Sequence, residues 1–159
     1  MTACCWCQRQ HEGGPENCLT GVLLVCGGRT WGAILPDATE EQVVVAMEQR
    51  ARTWSVLNNL AEKRMEVLAV RHGGAKGADS LAGEWANRHG YVVQVFPADW
   101  NKHGKAAGPI RNQEMIDAFD PARPGTSKVV CVVAFPGRTG TADLVERAKK
   151  AGIKVWEVR

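Results

Sequence analysis

Apolar and polar positions along this chain alternate between two regimes. Short continuous apolar runs are followed by longer stretches with helical periodicity. The run "GVLLVCGG" (21–28) ends in two glycines, as expected of a strand buried on both faces. "LPDATEEQVVVAMEQRARTWSVLNNLAEKRM" then predicts a long helix. Pro36 precedes it, Asp37 and Glu40 are spaced for a capping box, and Val43, Met47, Ala51, Trp54, Leu57 and Ala61 recur on one face. The unit repeats. "EVLAVRHGG" (66–74) predicts a strand and "GADSLAGEWANRHG" a helix closed by Gly90. "YVVQVFPAD" (91–99) predicts a strand and "GPIRNQEMIDAF" a helix with Pro109 in its first turn. "SKVVCVVAFPG" (127–137) predicts a strand, "TGTADLVERAKKAG" a helix closed by Gly152, and "IKVWEV" (153–158) a last strand. Five strands alternating with helices predict an α/β, Rossmann-like parallel sheet with helices on both faces. Residues 1–20 are polar, Cys-rich and aperiodic, and read as an N-terminal extension to a single domain over 21–159.

In such sheets ligands bind beyond the carboxyl ends of the strands. Those ends read "CGGRTW", "HGGAKGAD", "FPADWNKHG" and "FPGRTGTAD", and most of the unusual residues of the chain lie in them. Glycines admit close backbone approach, and helix N-termini present unpaired N–H groups. Together they make an anion site. Gly137, Arg138, Thr139, Gly140 and Thr141 form the first candidate cradle. Gly73, Gly74, Lys76, Gly77 and Asp79 form a second, in which Asp79 either caps the following helix or contacts a ligand. Gly27, Gly28 and Arg29 border the same edge. The loop "DWNKHGKAAGPIRN" adds Asp99, Trp100, His103, Arg111 and Asn112, with Trp100 as a platform for a base. Arg111 is the leading candidate, because a cation at a helix start opposes the dipole and so calls for another reason. Trp31 serves either as a stacking surface or as packing under the first helix.

Composition changes this picture little. The chain has 159 residues, 45% hydrophobic and 23% charged, with a net charge of +3 and a pI near 8.6. That charge suits an anionic small ligand but is thin for nucleic acid. No apolar run approaches the roughly 20 residues that span a bilayer, and no signal peptide is visible, so a cytoplasmic protein without membrane contact is expected. Of six cysteines, Cys26 and Cys131 lie in apolar runs and read as inert core thiols. Cys4, Cys7, His11 and Cys18 have zinc-like content in an unfamiliar spacing. They are either a structural zinc site or a tail with reduced thiols. No other cofactor is expected.

Three stretches, "HGGAKGADSLAGEWA", "FPADWNKHGKAAGPIRNQEM" and "VVAFPGRTGTADLVERAKKAG", resemble the YspA-like branch of the SLOG superfamily, whose relatives include the "Lonely Guy" (LOG) phosphoribohydrolases and the DprA/Smf DNA-processing proteins. The resemblance covers roughly residues 21–158. It implies a nucleotide-binding Rossmann-like fold and, from its relatives, a homodimer. LOG enzymes cleave the N-glycosidic bond of a nucleoside 5′-monophosphate and carry PGGxGTxxE after a helix with "RKxxM". Here "RNQEM" (111–115) puts Arg111 at the family's catalytic arginine. "PGRTGTADL" (136–144) departs twice, with Arg138 for glycine and Leu144 for the catalytic glutamate. Asp143, one residue earlier, is then the carboxylate left to contact ribose or, with Arg111, to act in catalysis. The departures favour binding of a nucleotide-derived ligand over LOG-like hydrolysis, with DprA-like single-strand DNA binding as a third reading. Leu144→Glu is expected to test whether the hydrolytic chemistry can be restored.

Overall fold

The computed structural model describes residues 19–119 and 128–159. Cys4, Cys7, His11 and Cys18 lie outside them. Five parallel strands form one sheet: β1 (Leu19–Cys26), β2 (Met65–His72), β3 (Val92–Val95), β4 (Val129–Ala134) and β5 (Lys154–Glu157). Their order is β3-β2-β1-β4-β5. The chain winds outward from β1 in one direction and, after β3, returns to wind outward in the other. The switch point therefore falls between β1 and β4. The α/β parallel architecture expected from the alternating pattern is what the chain adopts.

The apolar runs are continuous because successive residues serve opposite layers. Leu23 and Val25 point to one core with α1 (Glu40–Lys63) and α2 (Ala78–Arg88). Val22, Leu24 and Cys26 point to the other, with α4 (Ala107–Asp117) and α5 (Thr139–Lys150). Burial pushes the Cys131 thiol up to about 11, and that of Cys26 further still, so both stay protonated.

Two expectations for α1 are corrected. Its capping box is Thr39 with Gln42, not Asp37 with Glu40, so the helix begins after Thr39. Its inward residues are Ala46, Thr53, Leu57, Leu60 and Ala61, while Met47 is 54% exposed and Ala51 is exposed. Of the face inferred from spacing, Leu57 and Ala61 are buried and Val43 and Trp54 half-buried, so only Met47 and Ala51 were misplaced, and the polar Thr53 takes an inward position instead. Its hydroxyl bonds the Gln49 carbonyl and accepts from Trp31 Nε1, which makes it compatible with the core. That contact, together with the Phe135 ring 5.6 Å away, gives Trp31 a packing role.

The loop after β3 is also more ordered than its composition implied. It forms a short helix, α3 (Trp100–His103), and a 3₁₀ turn (Gly104–Ala106) that leads directly into α4. Arg111 is therefore in the second turn of α4, and the helix-dipole objection to a cation there does not apply.

Candidate functional site

The carboxyl ends of β1, β2 and β4 meet at the switch point. Gly28 N–H donates to the Pro136 carbonyl at 2.9 Å, and Phe135 N–H to the Cys26 carbonyl at 2.9 Å, closing the β1 and β4 ends together. Ala78 N–H donates to the Gly28 carbonyl, which brings the start of α2 onto the same loop. This contact needs glycine at position 77. Gly77 has φ +77°, and a Cβ there would sit 2.3 Å from the Gly28 oxygen.

The two expected cradles differ. In the 73–79 loop the amides of residues 73–75 are already used: Asp79 Oδ2 accepts from Gly73 N–H (3.0 Å) and Ala75 N–H (3.2 Å), and His72 Nδ1 accepts from Gly74 N–H (3.0 Å). Asp79 is not the helix cap. Gly77 is the N-cap residue and bears no side-chain cap, while Asp79 turns back to hold the loop. Lys76 is exposed. The 137–141 loop is open. Arg138 is the N-cap of α5, no side chain caps that helix, and residues 136–140 are all exposed. Its first-turn N–H groups and the positive end of its dipole face outward.

Arg111 lies between these loops. Its Nη1 donates to the carbonyls of Gly73 (2.7 Å) and Phe96 (3.4 Å), and its Nε to Asn112 Oδ1. Nη2 has no protein partner, and no buried, unpartnered side-chain nitrogen occurs among the described residues, so this arm reaches solvent. Asn112 is 3% exposed. It donates to the Gly140 carbonyl in the first turn of α5 and to Asp143 Oδ2 at 2.9 Å. Asp143 also accepts from Arg147 Nε at 2.8 Å, and that bond holds its carboxyl below the ordinary range. Arg111 and Asp143 are thus linked through Asn112 rather than paired directly.

Electrostatics concentrate around Asp79. Burial pushes its carboxyl up to about 6, against the opposing pull of two backbone amides, Arg111 and Arg29. Burial lowers the Arg111 pKa, with Asp79 opposing that shift. Burial also lowers that of His72, and Arg111 lowers it further. Arg29 itself is exposed. Two cations and a buried carboxylate thus share the crevice edge.

The remaining candidates lie at its margin. Asp99 Oδ1 accepts from Lys102 N–H and caps α3. Trp100 is 51% exposed and lies near Gly108 at the start of α4. A shallow groove of about 740 Å³ runs along α4, lined by Phe96, Pro109, Ile110, Gln113 and Arg147 among others. None of the glycine loops lines it, so it is a neighbour of the crevice and not the crevice itself.

Leu144, at the position of the LOG glutamate, is 1% exposed and packs in the core with Met115, Ile116, Val132, Ala134 and Ala148. A longer acidic side chain there would enter that core, so restoring the chemistry by Leu144→Glu is not supported. Sequence reasoning missed Arg71, which is 1% exposed in β2. Its Nη1 bonds the carbonyls of Met115 and Ala118 at the end of α4, its Nε bonds Gln94, and its guanidinium lies over Phe96. It fixes the helix that carries Arg111. An arginine inside an apolar strand run was the available signal.

Residues 22–103 match the family described as "YspA, cpYpsA-related SLOG family". The chain belongs to this family. The "Gene 61 protein" of Mycobacterium phage D29 is 36% identical over 140 residues, covering 84% of this chain and 92% of that protein. No solved structure matches significantly. The family match takes in the 27–29 and 73–79 loops and Trp100. Arg111, Asn112 and the 137–143 loop lie beyond the residues that this model matches. Among the described residues, no helix is long and apolar enough to cross a membrane.

The contact between Gly73 and Arg111 makes one prediction immediate. A Cβ on Gly73 would lie 1.7 Å from Arg111 Nη1, so Gly73→Ala expels the guanidinium from its seat. It should cost about 1–3 kcal/mol in urea denaturation. In an Arg111→Ala background the same change should cost far less, and equal costs in the two backgrounds would show that the contact is not the cause.

Proposed function

We propose that this protein binds a nucleotide or nucleotide-derived ligand, with a phosphate at the N-terminus of α5 and Arg111 alongside it. The observation that carries this reading is the pairing of an exposed, uncapped helix start with an arginine held on two strand ends, one arm of which is left for solvent. Membership of a SLOG family supports nucleotide-related chemistry. Binding without turnover fits better than hydrolysis, because Leu144 is a core residue and Asp143 is already engaged by Asn112 and Arg147. Trp100, 51% exposed, would stack on the base.

Titration calorimetry against mononucleotides, NAD-related compounds and cyclic nucleotides tests this. At least one should bind, and Arg111→Ala should weaken it by about 10- to 100-fold, the loss of one charge-assisted hydrogen bond. Absence of binding across the panel would overturn the reading. Release of free base during the titration would return the hydrolase reading in its place.

A further inference from the structure

Three arginines meet at the crevice without an ion-pair partner. Arg29 and Arg138 are exposed, and among the described residues neither side chain makes a hydrogen bond, an ion pair or a ring contact. Arg111 is seated on carbonyls and keeps Nη2 free. The other guanidinium groups of the helices and strands are engaged. Arg50 pairs with Glu84 and Arg147 with Asp143, Arg52 bonds the carbonyl of Arg159, Arg71 bonds those at the end of α4, and Arg88 lies over Trp54.

The backbone brings the open ones together. Gly28 N–H donates to the Pro136 carbonyl, and a Cβ on Gly28 would lie 3.5 Å from the Gly137 Cα. Arg29 and Arg138 are each the next residue after that contact, so their Cα atoms lie within about 13 Å of each other. A Cβ on Gly77 would lie 2.7 Å from the Arg29 carbonyl carbon, so the start of α2 holds the Arg29 backbone in place. Beyond burial and the opposing pull of Asp79, the charge of Arg29 lowers the Arg111 pKa, so these two cations repel across the crevice. Asp79 is 5% exposed, and its Oδ1 has no protein partner and is not enclosed, so that oxygen opens on the same edge.

We infer that the ligand of this crevice carries at least two linked phosphates, the first at the start of α5 beside Arg111 and the second between Arg29 and Arg138. The inference rests on the phosphate reading above and narrows it to a nucleoside diphosphate or a larger phosphate ester, with monophosphates as the poorer ligands. Charge decides between the two. Arg29, Arg111, Arg138, the exposed Lys76 and the positive end of the α5 dipole face one buried carboxyl, Asp79, while Asp143 is matched by Arg147. A phosphate monoester carries about −1.5 to −2 at neutral pH and offsets only about half of that excess. A second phosphate adds acceptor oxygens for two forked guanidinium groups that otherwise have no partner. The open oxygen of Asp79 suits a ligand that bears hydroxyls as well as phosphates.

Titration calorimetry of the full chain with orthophosphate, pyrophosphate, AMP and ADP, at one ionic strength and without divalent cations, tests the inference. ADP should bind at least about tenfold tighter than AMP, and pyrophosphate tighter than orthophosphate. Arg29→Ala and Arg138→Ala should each bring the ratio of ADP to AMP affinity close to one. Both side chains are exposed and make no protein contact, so thermal melts of the two variants should match the parent. Arg64→Ala removes a cation at the opposite, amino edge of the sheet, where the guanidinium lies over Trp156, and should keep the ratio. A parent that binds AMP and ADP equally overturns the inference and leaves the nucleotide reading standing. A ratio that Arg29→Ala and Arg138→Ala do not lower, or that Arg64→Ala lowers as much, does the same. Absence of binding by ADP and pyrophosphate also overturns it. Failure of the reading beneath it shows separately, as absence of binding across the wider nucleotide panel.

Discussion

Leu144→Glu is expected to abolish cooperative folding or bring the protein close to that point. The side chain is 1% exposed and surrounded by Met115, Ile116, Val132, Ala134 and Ala148. No basic group belongs to that cluster, and its one polar hydrogen is the weakly donating thiol of Cys26, so a carboxyl there is either buried as an unpaired charge or protonated at a cost. Either way the penalty is on the order of 4 kcal/mol or more, counting the lost apolar packing. Domains of this size are stable by only about 5–15 kcal/mol. Urea denaturation should show the transition displaced to low denaturant or missing, and no base should be released from nucleotides. Leu144→Met, similar in volume, should cost less than about 1.5 kcal/mol. A Leu144→Glu variant folded within about 1 kcal/mol of the parent would mean that this position can turn toward the crevice after all.

The second large effect is a pH dependence of unusual sign. Most buried carboxylates in ion pairs have lowered pKa values, and the protein gains stability as pH rises. Asp79 is 5% exposed and its carboxyl is pushed up to about 6, mainly by burial, from an ordinary value of 3.8. Between those values the folded state holds a proton that the unfolded state has released. The contribution of this group to stability therefore falls as pH rises from about 4 to 6, and is flat on either side. At neutral pH the charge costs about 3 kcal/mol. Asp79→Asn keeps an oxygen for the amides of Gly73 and Ala75 while removing the charge. It should be more stable than the parent at pH 7.5, with the advantage gone by pH 4. A parent that instead gains stability relative to Asp79→Asn on going from pH 4 to 6 would contradict this account. Because burial wins over Arg111, Arg29 and two amides, the charge is not kept for stability.

How much of this was legible in the sequence varied with the range of the forces involved. The five strands and the helices between them were visible because a strand buried on both faces must be apolar throughout, and because Gly90 and Gly152 mark helix ends. The edge carrying the site followed from the same alternation, since a parallel sheet sends every glycine-rich strand end to one side. The capping box was misplaced by two residues because Asp37–Glu40 and Thr39–Gln42 both satisfy the spacing rule. Only the observed backbone bonds select the second. The α1 face was misjudged in part, at Met47 and Ala51, because a buried threonine satisfied by Gln49 and Trp31 looks polar in one dimension.

Within the site, residue types were readable but their assignments were not. Asp79 looked like a helix cap or a ligand group, and it proves to be the group that uses up the amides of its own loop. Arg111 was singled out for a clash with a helix dipole that its position in the second turn removes. Its place is set instead by carbonyls distant in sequence, Gly73 and Phe96. Arg71 went unremarked because the carbonyls it serves, at the end of α4, come near it only through folding.

By itself the sequence determined the α/β class, the edge at which the glycine-rich strand ends gather and the family, since each rests on local periodicity or contiguous motifs. The tertiary structure alone decided which cradle is open, that Leu144 belongs to the core, and that Asn112 joins Arg111 to α5. It also decided that part of the apolar content of α1 faces outward. Those outcomes depend on which distant groups compete for the same hydrogen bonds and the same buried space, and that competition exists only once the chain is folded.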